Sequence, residues 1–310
     1  MSDIVSILGG SGFVGKFLFE RWPVKERGRL RFLLHRSHPY WLNASDVEVR
    51  SIDFADSDGV RGALEGSECV INLLRPDGSG WLMAVMEQLL PVINRCAIPR
   101  LIHASSIDVY GGAGAPCVAE NTLPEPRTPY EREHHAMEEL VASAPFSTCI
   151  IRPGAIFGPG GRNLVAFVPE MRSAPTWKLA ARRSLYGQRR MHLVSVENVA
   201  DAIRAIVNSG ESGKIAILVT DDYASENNFA FVQNTMAQIF GRQVLDWVPE
   251  LPSFVLRAVL RARGRTDAEP ARRFSNDKLT AIGFCPEQSF PYRLERYATF
   301  LRETEETILA

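Results

Sequence analysis

The sequence has no C-x-x-C pair, and its five cysteines, Cys69, Cys96, Cys117, Cys149 and Cys285, are odd in number and widely spaced. That argues against a disulfide framework or a structural zinc site and makes a reducing cytoplasm the expected compartment. The runs Cys69-Val70-Ile71 and Thr148-Cys149-Ile150-Ile151 are apolar, so these thiols read as small buried hydrophobes rather than nucleophiles. No apolar run approaches the ~18 residues that span a bilayer, and Met1-Ser2-Asp3-Ile4 lacks the basic segment of a signal peptide. Neither sign of charge dominates: 35 Lys+Arg stand against 36 Asp+Glu. There is therefore no global field for nucleic acid or an anionic membrane. A hydrophobic share of 45% with 23% charged residues excludes disordered and collagen-like chains. No internal repeat or low-complexity tract is present. At ~150 residues per domain, the length fits two domains or one large α/β unit.

Short apolar runs rich in β-branched residues recur through the chain: Ile4-Leu8, Leu30-Leu34, Val47-Ile52, Cys69-Leu74, Leu101-Ala104, Thr148-Ile151 and Ile215-Val219. Most are apolar on both strand faces, as in a parallel sheet covered by helices on each side. Helix-period segments lie between them, at Phe13-Trp22, Trp81-Ile93 and Glu197-Val207. The alternation predicts an α/β chain with a Rossmann-type doubly wound parallel sheet. After about residue 155 the texture changes, with Gly158-Pro159-Gly160-Gly161 and Pro249-Glu250-Leu251-Pro252 between shorter elements. The expected division is residues 1–155, with a return at about 193–220, and a smaller C-terminal lobe over 156–310. The last helix is expected at Tyr292-Glu306.

The first strand runs into Gly9-Gly10-Ser11-Gly12-Phe13-Val14-Gly15, a G-x-x-G-x-x-G turn opening a helix. Gly9 permits a tight turn, Gly12 lets a diphosphate approach the backbone, and Gly15 lets the helix pack closely on the sheet. The helix N-terminus adds free N–H groups and a positive dipole end. An ordinary strand-helix turn uses such glycines too; the position after the first strand favours dinucleotide binding. The second strand ends in His35-Arg36-Ser37-His38, without the carboxylate that grips the ribose hydroxyls of NAD. Arg36 suits a 2′-phosphate, so NADP(H) is favoured and NAD(H) is the alternative. After the third strand, Asp53 and Phe54 offer a carboxylate and an apolar wall to the adenine.

The fifth strand ends Ala104-Ser105-Ser106-Ile107-Asp108-Val109-Tyr110-Gly111, and Pro129-Tyr130-Glu131-Arg132-Glu133-His134-His135 opens a later helix. With these residues the chain resembles the extended short-chain dehydrogenase/reductase family, of the NAD-dependent epimerase/dehydratase type. The resemblance extends through Arg152-Pro153, Phe157-Gly158-Pro159, His192 to Ala200, and Asp277-Lys278-Leu279 to Gly283-Phe284. It implies that Ser106 hydrogen-bonds the reacting oxygen and that Tyr130 moves the proton while a nicotinamide exchanges hydride. It also implies cofactor contacts from Leu73, Leu74, Arg75, Ser105 and Arg152, and a homodimer through two helices of the first lobe, one opening at Tyr130. The family's lysine four residues after the tyrosine lowers the phenol's pKa and holds the nicotinamide ribose. Here that position is His134, on the same helical face as Tyr130, whereas His135 is rotated by about 100°. Three readings follow. His134 takes over ribose binding and supports Tyr130 weakly; another cation, Arg75 or Arg152, supplies the field; or the protein binds dinucleotide without turnover.

The implied substrate is a nucleotide-sugar or a similar hydroxylated metabolite, altered at a carbonyl/alcohol centre by reduction, oxidation, epimerisation or dehydration. Many nucleotide-sugar members have asparagine where Ala155 stands, which weakens that assignment. Lys178, Arg182, Arg183, Arg189 and Arg190 form a basic stretch, read mostly as a solvated face with Arg189 or Arg190 toward substrate. A second basic group, Arg257, Arg261, Arg263, Arg265, Arg272 and Arg273, follows the amphipathic run Phe254-Leu260. Asp267 and Glu269 among them make a solvated surface the favoured reading over a membrane or an acidic partner. The alternative to an enzyme is a dinucleotide-binding regulator or scaffold, supported by the missing lysine alone.

Overall fold

A computed structural model describes residues 3–43, 45–243, 245–262, 264 and 269–309. Arg263, Arg265 and Asp267 lie outside the described residues. The strands are β1 (Ile4–Leu8), β2 (Leu30–Leu34), β3 (Glu48–Ser51), β4 (Ser67–Asn72), β5 (Arg100–Ala104), β6 (Cys117–Val118), β7 (Ser147–Pro153), β8 (Ala155–Phe157), β9 (Leu193–Ser195), β10 (Lys214–Val219) and β11 (Arg273–Phe274). The helices are α1 (Phe13–Arg21), α2 (Ser57–Leu64), α3 (Trp81–Arg95), α4 (Pro129–Ala142), α5 (Phe167–Ser173), α6 (Thr176–Tyr186), α7 (Val196–Asn208), α8 (Phe229–Ile239), α9 (Ser253–Ala262), α10 (Asp277–Ala281) and α11 (Phe290–Leu309).

All seven apolar runs become strands of one sheet, ordered β10-β7-β5-β4-β1-β2-β3, with every pairing parallel. The cause is the two-residue period of a strand whose faces are both covered. On one face Val5, Ile7, Ile71, Ile102, Ile151 and Ile217 meet α1 and α7 through Phe17, Leu18, Val199 and Ile203. On the other, Leu8, Val70, Leu101 and Ile150 meet α2, α3 and α4 through Leu64, Leu82, Met86, Met137 and Val141. Cys69 and Cys149 sit inside this core, and burial pushes both thiols up to about 12, as inert hydrophobes require.

A separate apolar core joins α5, α6, α8 and α11 through Phe167, Met171, Leu179, Phe229, Val232, Phe290 and Leu294. The chain then returns to the sheet. β11 pairs with β6, and Phe274 packs with Tyr110, Val118 and Leu218 beside the turn that follows β5. Among the described residues no helix is long and apolar enough to cross a membrane.

Candidate active site

The glycine turn leaves β1 with Gly9 in the left-handed region, φ 71°. A Cβ there would lie 2.8 Å from the carbonyl carbon of Leu73, so only glycine fits both the turn and the backbone leaving β4. Gly12 caps α1 without any side-chain cap, and the first turn carries no acid. The N–H groups around Phe13 and Val14 and the positive end of the helix are thus left open beside the half-buried Ser11. Gly15 differs from expectation: a Cβ there would sit 2.0 Å from the Gly10 carbonyl oxygen, so its close contact is to the turn itself rather than to the sheet. Beyond it, the Gly158–Gly161 stretch lies on the Phe13 ring, where a Cβ on Gly161 would come within 2.8 Å.

His35 and Arg36 emerge exposed from β2. His35 Nε2 is 4.0 Å from Asp53 Oδ1, and its ring centroid is 5.7 Å from that of Phe54. The structure therefore brings His35, Asp53 and Phe54 together, and Arg36 follows with no ion pair among the described residues. At the end of β4, Leu73 N–H donates to Leu8 O at 2.9 Å and Leu74 N–H donates to the Asn72 side chain at 3.0 Å. The first bond is the last rung of the β1–β4 ladder and the second turns Leu74 back onto Asn72, so β4 ends at Asn72 rather than at Leu74 as the apolar run predicts.

Tyr130 is fixed by the start of α4. Thr128 and Glu131 form a capping box, with Pro129 in the first turn. Glu131 also packs on Gly111, where a Cβ would lie 2.6 Å from its carboxylate, so the cap locks α4 to the turn after β5. On that turn Ser106 donates to Asp108 Oδ2 at 3.0 Å and accepts from Asp108 N–H at 3.1 Å. Burial pushes the Tyr130 phenol upward and the Asp108 carboxylate pushes it further, while Arg75 pulls it down. Ser106, Asp108, Tyr130 and Arg75 thus share one neighbourhood. Asp108 is the residue that sequence reading passed over; its signal was the Ser-x-Asp spacing of a side-chain cap.

His134 stacks edge-on to Tyr130, ring centroids 4.6 Å apart. It is buried, and neither ring nitrogen has a hydrogen-bond partner. Burial holds its pKa down to about 4, with Glu138 opposing and Arg75 assisting, so the imidazole is neutral at pH 7. His135 faces Glu139 instead, at 3.8 Å, as its rotation predicts. The unpartnered oxygen of buried Ser105, the orphaned nitrogens of His134, the glycine cradle and the uncapped helix together fit a dinucleotide lying across the end of the sheet.

Arg152 does not join this group. Its Nε and Nη2 donate to Glu138 at 2.9 and 2.6 Å, its Nη1 donates to Tyr110 Oη, and the whole pair is buried. A cofactor contact is replaced by an internal ion pair that ties β7 to α4. Replacing Glu138 with alanine strands the buried guanidinium and is expected to lower unfolding stability by ~3–5 kcal/mol, read from urea denaturation. A loss under 1 kcal/mol would remove that structural role.

The basic stretches also differ from expectation. Arg182 pairs with Glu170 and lies over the rings of Phe167, Tyr186 and Phe229. Arg183 is buried, and Arg190 is buried with Nη1 on the Ala224 carbonyl at 2.6 Å. In the second group, Arg272 is buried and donates to the carbonyls of Tyr110, at 3.2 Å, and Ala113. Arg190 and Arg272 thus brace loops, Arg182 ties α6 to α5, and Arg183 Nε and Nη1 are buried without a partner among the described residues. Lys178, Arg261 and Arg273 are exposed and Arg257 lies 3.4 Å from Glu269, as a solvated face requires.

A seven-stranded parallel sheet, a glycine turn feeding an uncapped helix, and a serine after β5 with a tyrosine opening α4 define a dinucleotide-binding α/β protein. The chain belongs to the NAD dependent epimerase/dehydratase family, whose model matches residues 5–219. Among curated proteins it is 24% identical to sterol-4-alpha-carboxylate 3-dehydrogenase ERG26, decarboxylating, of Saccharomyces cerevisiae, over 53% of this chain and 54% of that one. It is 25% identical to ceramide reductase of Caulobacter vibrioides, over 69% of this chain and 64% of that one. The chain thus spans about half to two thirds of the length of these relatives. Among solved structures it is similar to MoeE5 in complex with UDP-glucuronic acid and NAD, TM-score 0.70, 18% identity, covering 97% and 99% of the two chains. It is also similar to UDP-glucuronic acid 4-epimerase of Bacillus cereus, TM-score 0.69, 16% identity, covering 97% and 99%. At these identities the structural likeness concerns the fold.

Proposed function

We propose that this protein is an NADP(H)-dependent reductase of a ketone on a substrate without a diphosphate. Ser106 and Tyr130 converge on the reacting oxygen in this reading. Gly9, Ser11, Gly12, Phe13, Val14 and Gly15 hold the dinucleotide's diphosphate, and His35, Arg36, Asp53 and Phe54 its adenosine end. Leu73, Leu74, Arg75, Ser105 and His134 line the nicotinamide end. When bound there, a reduced nicotinamide supplies the hydride.

The observation that carries the direction is the neutral, buried imidazole beside Tyr130. No ammonium lowers the phenol, and burial raises it, so Tyr130 stays protonated through neutral pH. A protonated phenol is the form that reduction needs, because the oxygen gaining hydride develops negative charge and must receive a proton. Oxidation needs the phenolate, which is scarce. The substrate class is supported by Arg182, committed to Glu170, and by Arg190 and Arg272, committed to backbone carbonyls. Ala155 in place of the asparagine of many nucleotide-sugar members agrees, and two curated relatives carry names for sterol and ceramide enzymes.

The test follows reduced-nicotinamide absorbance with apolar ketones and nucleotide-sugars. Ketone reduction is expected to be flat from pH 6 to 8, and the reverse oxidation to rise close to tenfold per pH unit. Turnover confined to nucleotide-sugars would overturn the substrate class, and a plateau in oxidation near pH 7 would overturn the protonation argument. The neutral His134 also favours a second reading, a dinucleotide-binding regulator. Tight cofactor binding with no turnover across the panel would select it.

Arg36 supplies the cofactor prediction. Arg36→Ala is expected to raise KM for NADPH by ~10–100-fold and to leave that for NADH within ~3-fold, the loss of one charge-assisted phosphate contact. Equal effects on both cofactors would remove Arg36 from the 2′-phosphate site.

A further inference from the structure

Beneath His134 lies a polar cluster that the proposed reaction does not itself use. By strand alternation, Asn72 follows Val70 and His103 follows Leu101 onto the sheet face that α3 and α4 cover. The two residues are register partners on β4 and β5. Both are wholly buried, and Asn72 Nδ2 lies 3.0 Å from His103 Nδ1.

This contact fixes where His103 carries its proton. Asn72 Oδ1 accepts from Leu74 N–H at 3.0 Å, so the amide cannot be turned round without setting two donors against each other. Asn72 Nδ2 is therefore the donor and His103 Nδ1 the acceptor. A neutral imidazole accepting at Nδ1 is protonated at Nε2. Burial, with His134 adding to it, holds the His103 pKa down to about 3, so the ring is neutral. His103 Nε2–H then has no acceptor, His134 has two unpartnered ring nitrogens, and Ser105 Oγ, two residues along from His103, is buried without a partner. The influence of His134 on the His103 charge sets the two rings near each other, and buried donors and acceptors left open near one another are bridged by ordered water when two to four polar groups surround it.

We propose that His103 is a positioning residue, whose Nε2–H donates through one buried water to a ring nitrogen of His134. That bond makes one nitrogen of His134 the acceptor and leaves the proton on the other. The neutral imidazole is thereby held as an N–H donor at the reacting site, in the place of the family's lysine. Asn72 anchors the chain and, through Leu74, couples it to the backbone beside the proposed nicotinamide end. The inference rests on the reading of Tyr130 and His134 given above.

Two variants separate the roles of the two His103 nitrogens. His103→Asn keeps an acceptor near Nδ1 for Asn72 and removes the Nε2 donor; His103→Gln keeps a donor near Nε2. Histidine nitrogen NMR on the full-length protein at pH 7 is expected to show His103 protonated at Nε2 and His134 in one neutral tautomer. In His103→Asn, His134 is expected to populate both tautomers, and kcat to fall ~10–100-fold with cofactor KM within ~3-fold. His103→Gln is expected to keep kcat within ~3-fold. Protonation of His103 at Nδ1 would overturn the proposal, as would an unchanged His134 in His103→Asn. So would equal losses of kcat in both variants that track a lower melting temperature. The NMR readout needs no turnover. Two tautomers of His134 in a wild type whose Tyr130→Phe variant is dead would sink this inference alone. Full activity in Tyr130→Phe would sink the catalytic reading, whatever the tautomer.

Discussion

Tyr130→Phe is expected to abolish turnover, by ~10²–10⁴-fold in kcat, while the dinucleotide still binds. The phenol oxygen has no hydrogen-bond partner among the described residues, so its removal leaves no buried group unsatisfied. Tyr130 is also 37% exposed, at the first turn of a helix whose start is held by Thr128, Pro129 and Glu131. Stability is therefore expected to change by less than ~0.5 kcal/mol. What the variant loses is the proton delivered to the oxygen as hydride arrives. Ser106 cannot replace it, because a hydroxyl donating to Asp108 offers a hydrogen bond rather than an acid of suitable pKa. Initial rates at saturating cofactor, with cofactor affinity from fluorescence titration, check this. Retention of more than a tenth of wild-type kcat would take Tyr130 out of the proton path.

His134→Lys is expected to accelerate the oxidation direction at pH 7 by at least ~10-fold and leave reduction within ~3-fold. An ammonium one helical turn from the phenol favours the phenolate and lowers its pKa by ~1–3 units. Arg75 acts in the same direction on Tyr130, while Asp108 and Glu133 oppose both. The lysine must remain charged where the imidazole does not. Glu138, the next residue on that helical face, favours a cation at 134, and burial and Arg75 disfavour it. The greater reach of a lysine carries its charge toward the exposed Tyr130 rather than into the core. The pH profile of oxidation is the measurement: the wild type is expected to rise across neutral pH, and the variant to level off at lower pH. Loss of cofactor binding without faster oxidation would mean that the pocket is built around an imidazole.

The sheet was legible because its causes are local. Seven apolar runs with β-branched residues, spaced by helix-period segments, fold as strands of one parallel sheet, since that pattern buries both faces of a strand. The glycine turn was legible for the same reason: the left-handed φ 71° of Gly9 is local to the turn, although the Leu73 backbone that also excludes a Cβ there comes from the end of β4. So was the helix opening at Tyr130, whose capping box spans Thr128 to Glu131. The strand limits were less so. β4 starts at Ser67 and stops at Asn72, because Leu74 turns back to its neighbour's side chain.

Tertiary structure alone decided the fate of the charges. Arg152 read as a cofactor ligand until Glu138 came to lie against it, and Arg272 as part of a surface group until carbonyls 162 and 159 residues away did the same. A guanidinium's role depends on which acceptor faces it after folding, which spacing in the chain does not encode. The protonation of His134 is of the same kind. Its place four residues after Tyr130 is read from the sequence, but its neutrality comes from burial on the inner face of α4, and its tautomer, as proposed, from groups on β4 and β5. The chain by itself determined where a dinucleotide's cradle and a tyrosine stand. Packing determined which nearby groups carry charge, because desolvation and hydrogen-bond partners exist only once the elements meet.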